Sequence, residues 1–244
     1  MNKISIIVPT YYGKNNILNK TVLYNCNLLR KVGFIFQYIV VVDFYSSFDS
    51  RFRYQHLFDV DNYIRVFFHL NESGHKESFK CANFGMAICL YDDFLLMDDD
   101  FLLSYDFLET VLKSNSGESI FLSSFQSNAS DGSVSSCMVS IDPEIEGVTI
   151  GGGTPKVLNK KEIWEIGGFY NPSFVGYMFG DNESCRRLLN VKNKIFIDGD
   201  KFEIVHLSHD HFLNGEEIGL SELHKIYYEK NKKKFNECFH AEEV

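Results

Sequence analysis

The stretch Asp93-Phe94-Leu95-Leu96-Met97-Asp98-Asp99-Asp100 sets four consecutive apolar residues between acids. A short apolar run bounded by polar residues reads as a strand buried on both faces, the kind found in parallel sheets. Its C-terminal end is then a buried edge carrying three carboxylates. Crowding carboxylates costs free energy unless a cation neutralises them. A hard divalent ion, Mn²⁺ or Mg²⁺, bound through one or two carboxylates and completed by substrate phosphates is the usual solution. Alternate residues of an extended chain share a face, so Asp98 and Asp100 are expected to hold the ion while Asp99 points elsewhere. The competing reading is a solvated acidic turn.

The same pattern recurs upstream. Ile4-Ser5-Ile6-Ile7-Val8 ends at Pro9-Thr10, residues 38–42 end at Asp43, and residues 64–68 end near His69. Between them, Asn15 or Asn16 can cap a helix whose stripe is Leu18, Val22, Cys26 and Leu29, stopped at Gly33. A second helix is expected over residues 81–90. Strands alternating with helices predict an α/β fold with a mostly parallel sheet. Such sheets bind ligands at the carboxyl ends of their strands, where Thr10, Asp43 and the three acids all fall. Downstream, Ser104 is an N-cap signal, and residues 126–153, rich in Ser, Asn and Gly, read as loops around short strands, with the character of a lid. Residues 159–166 predict a short helix closed by Gly167-Gly168, on which Trp164 is expected to pack against the sheet. Residues 221–239 predict a terminal helix with lysines at 230 and 232–234.

Composition narrows the class. The chain has 244 residues, 45% hydrophobic and 23% charged, ordinary globular values. A formal charge of −9 argues against a general nucleic-acid binder, which needs a basic surface. No run of apolar residues is long enough for a membrane span, and Met1-Asn2-Lys3 leaves no room for a signal peptide before the first strand. Six cysteines without a CxxC pair read as reduced thiols of a cytoplasmic protein.

Three further constellations carry chemistry. Gly180-Asp181-Asn182-Glu183 leads into a helix bearing Leu188 and Leu189, placing two acids in its first turn. They are helix-start residues or, functionally, a carboxylate base able to deprotonate a hydroxyl. His206, followed by His209, Asp210 and His211, comes directly after the apolar run ending at Val205. It is placed to join the same metal ion, and a freestanding zinc site is the alternative. Asn71-Glu72-Ser73-Gly74-His75-Lys76, with Lys80 and Asn83-x-Gly85, is a glycine-containing loop that can meet a diphosphate.

Taken in order, these pieces resemble the family 2 glycosyltransferases, which have the GT-A fold. Ile4 to Tyr11 is similar to that family's first strand and its Pro-Thr-Tyr turn. Val40-Val41-Val42-Asp43 is similar to the strand that usually ends in Asp-Asp-Gly-Ser, and Cys81-Ala82-Asn83-Phe84-Gly85 to its Ala-Arg-Asn-x-Gly element. Leu96-Met97-Asp98-Asp99-Asp100 resembles the metal motif in its galactofuranosyltransferase form. Gly167-Gly168-Phe169 followed by Gly180-Asp181-Asn182-Glu183 and Arg187-Leu188 resembles rhamnosyl- and galactofuranosyltransferase sequences. The chain departs from the pattern at Phe44-Tyr45, Ala82 and Phe101, where the family commonly has Asp-Gly, Arg and Asp.

The resemblance implies a mixed, mostly parallel Rossmann-like sheet flanked by helices. A GT-A domain would span residues 1–215, with the donor half near 1–105, the acceptor half near 106–215, and a helical extension at 216–244. It implies metal-dependent, inverting transfer of a hexose from a nucleotide-diphosphate sugar, a UDP-sugar first, to the hydroxyl of a saccharide or lipid-linked saccharide. The setting would be bacterial surface polysaccharide or glycolipid synthesis, in the cytoplasm or at the inner face of the plasma membrane. The implied base is Asp181 and the implied metal ligands are Asp98, Asp100 and His206. Pro9, Thr10, Tyr11, Asp43, Lys76, Asn83, Asp98 and Asp99 would bind the donor, and Gly152, Gly153 and Glu183 the acceptor. The rival functions are an inactive nucleotide-sugar-binding subunit of a polysaccharide assembly and a metal-dependent nucleotidyltransferase.

Overall fold

The computed structural model describes residues 1–11, 15–44, 63–73, 76–122, 124–128, 134–138, 155–174, 180–189, 194–197, 201–207, 212–213 and 216–240. The chain runs β1 (Lys3–Tyr11), α1 (Asn15–Val32), β2 (Ile35–Phe44), β3 (Ile64–Leu70), α2 (Ser78–Ile88), β4 (Asp93–Leu96) and β5 (Phe101–Leu102). It continues through α3 (Tyr105–Lys113), β6 (Ser119–Leu122), β7 (Ser124–Asn128), β8 (Val134–Met138), β9 (Lys156–Asn159) and α4 (Lys160–Glu165). The last elements are α5 (Gly180–Leu189), β10 (Lys194–Ile197), β11 (Val205–Leu207), β12 (Phe212–Leu213), β13 (Glu216–Glu217) and α6 (Leu220–His240).

Among the described residues the main sheet has the strand order β10-β6-β9-β4-β1-β2-β3. The pairs β1/β2, β1/β4, β2/β3 and β10/β6 are parallel, and β9 runs antiparallel to both β4 and β6. The mixed, mostly parallel α/β sheet expected from the apolar runs is therefore the one observed. Strand β1 shows why. Ile4, Ile6 and Val8 point into one layer, shared with Leu18, Val22, Cys26 and Leu29 of α1 and with Phe107, Leu108 and Val111 of α3. Ile7 points into the other, with Phe79, Cys81 and Met86 of α2, Ile163 of α4 and Cys185 and Leu188 of α5. Each aliphatic side chain removed from water in this way contributes about 1.5–3 kcal/mol.

Punctuation follows the chemistry of the turns. Gly33 ends α1 at φ 100°, a left-handed conformation that costs glycine nothing. Ser104 caps α3 by accepting the Phe107 amide, and Asn159 caps α4 by accepting the Lys161 amide. Trp164 departs from expectation: it is 73% exposed, while Ile163 takes the inward position of this six-residue helix. Neighbouring residues sit about 100° apart around a helix, so both cannot face the sheet. No described helix is long and apolar enough to cross a membrane. Cys26, Cys81, Cys89 and Cys185 are buried free thiols.

Candidate active site

The acidic turn is built from beneath. Strand β4 stops at Leu96, and Asp99 and Asp100 form a turn. The Thr10 hydroxyl at the end of β1 donates to the Asp99 carboxylate. From α1, Thr21 Oγ1 donates to the Asp99 carbonyl at 2.6 Å. Asn25 spans the turn: its Nδ2 donates to the Phe101 carbonyl at 2.9 Å, and its Oδ1 accepts the Leu103 amide at 3.0 Å. The Leu207 amide donates to the Asp100 carbonyl at 2.9 Å, and β11 pairs β5 with His206 opposite Phe101. Asp99 and Asp100 thus lie in a turn, not in the extended backbone on which the alternation argument rests. The turn also gives Asp99 and Thr10 to each other in its support.

The pairing of β11 with β5 brings His206 Nε2 to 3.4 Å from Asp100 Oδ2. That spacing is close to the roughly 3 Å between neighbouring ligands of an ion bound at about 2.1 Å. One carboxylate oxygen and one imidazole nitrogen are a donor set that suits a divalent ion such as Mn²⁺. Among the described residues no three His, Cys, Asp or Glu side chains close into a ready-made metal cage. Asp98 is thus not gathered with Asp100 and His206; it lies instead within electrostatic range of Lys156 and Tyr170. His209 and His211 lie outside the described residues, as do Gly152 and Gly153.

Across from the turn, α5 presents Asp181 in its first turn. Lys156 Nζ lies 2.9 Å from Asp181 Oδ1, and the Tyr170 hydroxyl donates to the same oxygen at 2.7 Å. Strand register explains the lysine's place: Lys156 opposes Leu96, two residues before Asp98. Burial opposes the charge on Lys156, but Asp181 beside it more than restores it, and the ammonium's pKa is raised. Burial and then Asp181 push the Tyr170 hydroxyl well above its usual range, so it remains a donor, and burial raises the Cys185 thiol to about 12. Gly180 lets α5 approach α2: a Cβ there would meet three atoms of the Phe79 ring at 2.4–2.8 Å.

Asn83 and Glu183 both make contacts that brace the fold. Asn83 Nδ2 donates to the Tyr170 carbonyl at 2.7 Å and its Oδ1 accepts the Tyr170 amide at 3.1 Å. Both ends of the carboxamide are committed to holding Tyr170. Glu183, expected at the acceptor, is buried, and Arg187 takes its Oε1 at 2.6 Å and its Oε2 at 2.9 Å. Arg187 also donates to the carbonyls of Ile166, Gly168 and Phe169, tying α5 to the Gly167-Gly168 turn.

The remaining donor candidates gather at the ends of β1 and β2. Asp43 Oδ2 accepts the Glu77 amide at 2.7 Å, while its Oδ1 is buried with no hydrogen-bond donor among the described residues. Burial raises the Asp43 carboxyl, and the Glu77 amide draws it part of the way back. Lys76 Nζ lies 3.5 Å from the centre of the Tyr11 ring, a cation–π contact. Pro9 and Tyr11 are half-buried at the end of β1. Phe44 ends β2, and Tyr45 lies outside the described residues. The Tyr227 hydroxyl of α6 accepts the Lys76 amide at 3.5 Å. Lys156, Tyr170, Thr21 and Asn25 went unnoticed in the sequence. For Lys156 there was a signal, a lone cation opening the buried run Val157-Leu158; the other three are ordinary helix and loop residues.

No family model matches the chain, and no curated protein does. Among solved structures it is similar to S. aureus TarS in complex with UDP-GlcNAc, with TM-score 0.59 and 16% identity, covering 94% of this chain and 66% of that one. It is similar to the catalytic domain of Drosophila β1,4-galactosyltransferase 7 in complex with xylobiose, with TM-score 0.52, 14% identity and coverages of 86% and 72%. It is also similar to GalNAc-T7 with UDP, GalNAc and Mn²⁺, with TM-score 0.61, 12% identity and coverages of 96% and 49%. The chain therefore spans just under two thirds of the TarS 1–349 chain and about half of the GalNAc-T7 chain. From its sheet order, its acidic turn after β4 and these likenesses, the chain has the GT-A fold.

Proposed function

We propose that this chain is a glycosyltransferase that moves a sugar from a nucleotide-diphosphate sugar, a UDP-sugar first, to the hydroxyl of a saccharide or lipid-linked saccharide, with inversion. The observation that carries this reading is the meeting of three features at one sheet edge. These are the Asp100–His206 pair, Asp98 nearby, and Asp181 held at the start of α5. Solved chains of the same fold bound to UDP-GlcNAc, or to UDP with Mn²⁺, support the donor class.

In this reading Asp100 and His206 would hold a divalent ion, with Asp98 close by in the chain. That ion supplies Lewis-acid neutralisation of the leaving diphosphate. The Asp43 carboxylate receives an N–H of the nucleotide base, and Lys76 faces the diphosphate. Asp181 orients the acceptor hydroxyl and takes its proton as the oxygen attacks the anomeric carbon from the face opposite the diphosphate. The C–O bond to the diphosphate breaks with its electron pair, so one displacement inverts the centre. The GT-A domain is proposed to span residues 1–215, with surface polysaccharide or glycolipid as the setting.

The test measures UDP release from UDP-GlcNAc, UDP-Gal and UDP-GalNAc with Mn²⁺, with and without saccharide acceptors. Wild type should release UDP faster with an acceptor present. Asp181→Asn should lower that rate by about 10²–10⁴-fold, the usual share of general base catalysis, with UDP affinity retained. Turnover near wild type in Asp181→Asn would remove Asp181 as the base.

A further inference from the structure

We infer that Lys156 is the positioning residue for Asp181: with the Tyr170 hydroxyl it fixes Oδ1 so that Oδ2 meets the acceptor proton. This rests on the reading of Asp181 as the base. Lys156 is 2% exposed and Asp181 14%. Taking an ammonium this far out of water costs several kcal/mol unless it is answered by charge and hydrogen bonds, so the lysine is held for its charge. Two fixed donors at 2.9 and 2.7 Å converge on Oδ1, and neither is bonded to Oδ2. A carboxylate gripped at one oxygen from two directions cannot rotate without breaking both contacts, so the second oxygen is left aimed.

The donors are themselves immobilised. Lys156 is set by its strand pairing opposite Leu96. Tyr170 is clamped by Asn83 through both its carbonyl and its amide, and its ring stacks on Phe79 with centroids 4.6 Å apart. The same lysine is within electrostatic range of Asp98.

The test compares Lys156→Met, Tyr170→Phe, Asp181→Asn and the Lys156→Met/Asp181→Asn double variant. Turnover is read as UDP release from the UDP-sugar that wild type uses fastest, and binding as calorimetry of UDP with Mn²⁺. Lys156→Met should lower kcat by about 100-fold, the cost of misaiming a reacting group by about 1 Å, with the UDP Kd within about twofold. Tyr170→Phe should lower kcat about tenfold, again without loss of UDP affinity. The double variant should be no slower than Asp181→Asn, because the lysine acts through that carboxylate. If Asp181→Asn is inactive while Lys156→Met keeps wild-type kcat, the inference on Lys156 fails and the base survives. A further loss in the double variant also overturns it. If Asp181→Asn keeps wild-type turnover, the underlying reading fails instead. Should Lys156→Met not fold, Tyr170→Phe decides, since it keeps every charge; an unchanged kcat there overturns the inference.

Discussion

Substituting Gly180 by alanine loads one methyl group onto the point where α5 meets α2. An ideal Cβ at Gly180 lies 2.4 Å from Phe79 Cζ, 2.6 Å from Cε2 and 2.8 Å from Cε1. All three atoms belong to one ring, so the ring must move as a whole by about 1 Å to reach ordinary contact. It has little room, because Phe79 is buried and stacks on Tyr170. Alanine also favours the helix by up to about 1 kcal/mol, but overpacking of this kind costs about 1–3 kcal/mol. We therefore expect Gly180→Ala to lower stability by about 1–2 kcal/mol in urea titrations. The larger effect should be on turnover. Pushing the start of α5 from Phe79, or Phe79 onto Tyr170, shifts Asp181, and a 1 Å error in a reacting group costs about 100-fold. Phe79→Leu in the Gly180→Ala background should recover part of both losses by removing the far edge of the ring. Wild-type stability and wild-type UDP release in Gly180→Ala would refute the packing argument.

Arg187→Ala should cost about 3–5 kcal/mol in the same urea titration, since it leaves Glu183 buried without its ion-pair partner. A loss under about 1 kcal/mol would show that the pair is bystander chemistry. Asp43→Asn should stabilise the ligand-free protein near neutral pH while weakening UDP binding. Burial raises the Asp43 carboxyl, so the folded state holds this proton more tightly than the unfolded chain does. Wild-type stability then falls as pH rises from the ordinary carboxylate value through the folded one. The advantage of Asn in thermal melts should accordingly shrink as pH is lowered toward about 4, and a variant less stable at neutral pH would contradict the assignment.

Much of the fold was written in short apolar runs because β1, β2 and β4 are covered on both faces and leave no polar side to interrupt them. The stripe Leu18, Val22, Cys26 and Leu29 is buried along its length, as helical period requires. The site was legible where it depends on strand ends and less so where it depends on partners. Asp98, Asp99 and Asp100 could be placed after β4, but not the turn at Asp99 and Asp100, which Thr21 and Asn25 brace from α1. Asn83 and Glu183 stand in motif-like positions, yet tertiary contacts with Tyr170 and Arg187 decide their use. In α6 the spacing Leu223, Tyr227, Asn231 is a buried stripe, a four-residue period that was available to be read.

We propose that the edge after β4 binds a nucleotide diphosphate through a metal ion, which calorimetry of UDP reads out. Wild type should bind UDP with Mn²⁺ and bind it at least about tenfold more weakly after chelation. Asp100→Ala should bind UDP equally weakly with and without Mn²⁺. Metal-independent binding in wild type, or an unchanged Mn²⁺ dependence in Asp100→Ala, would rule out a metal ion held at Asp100.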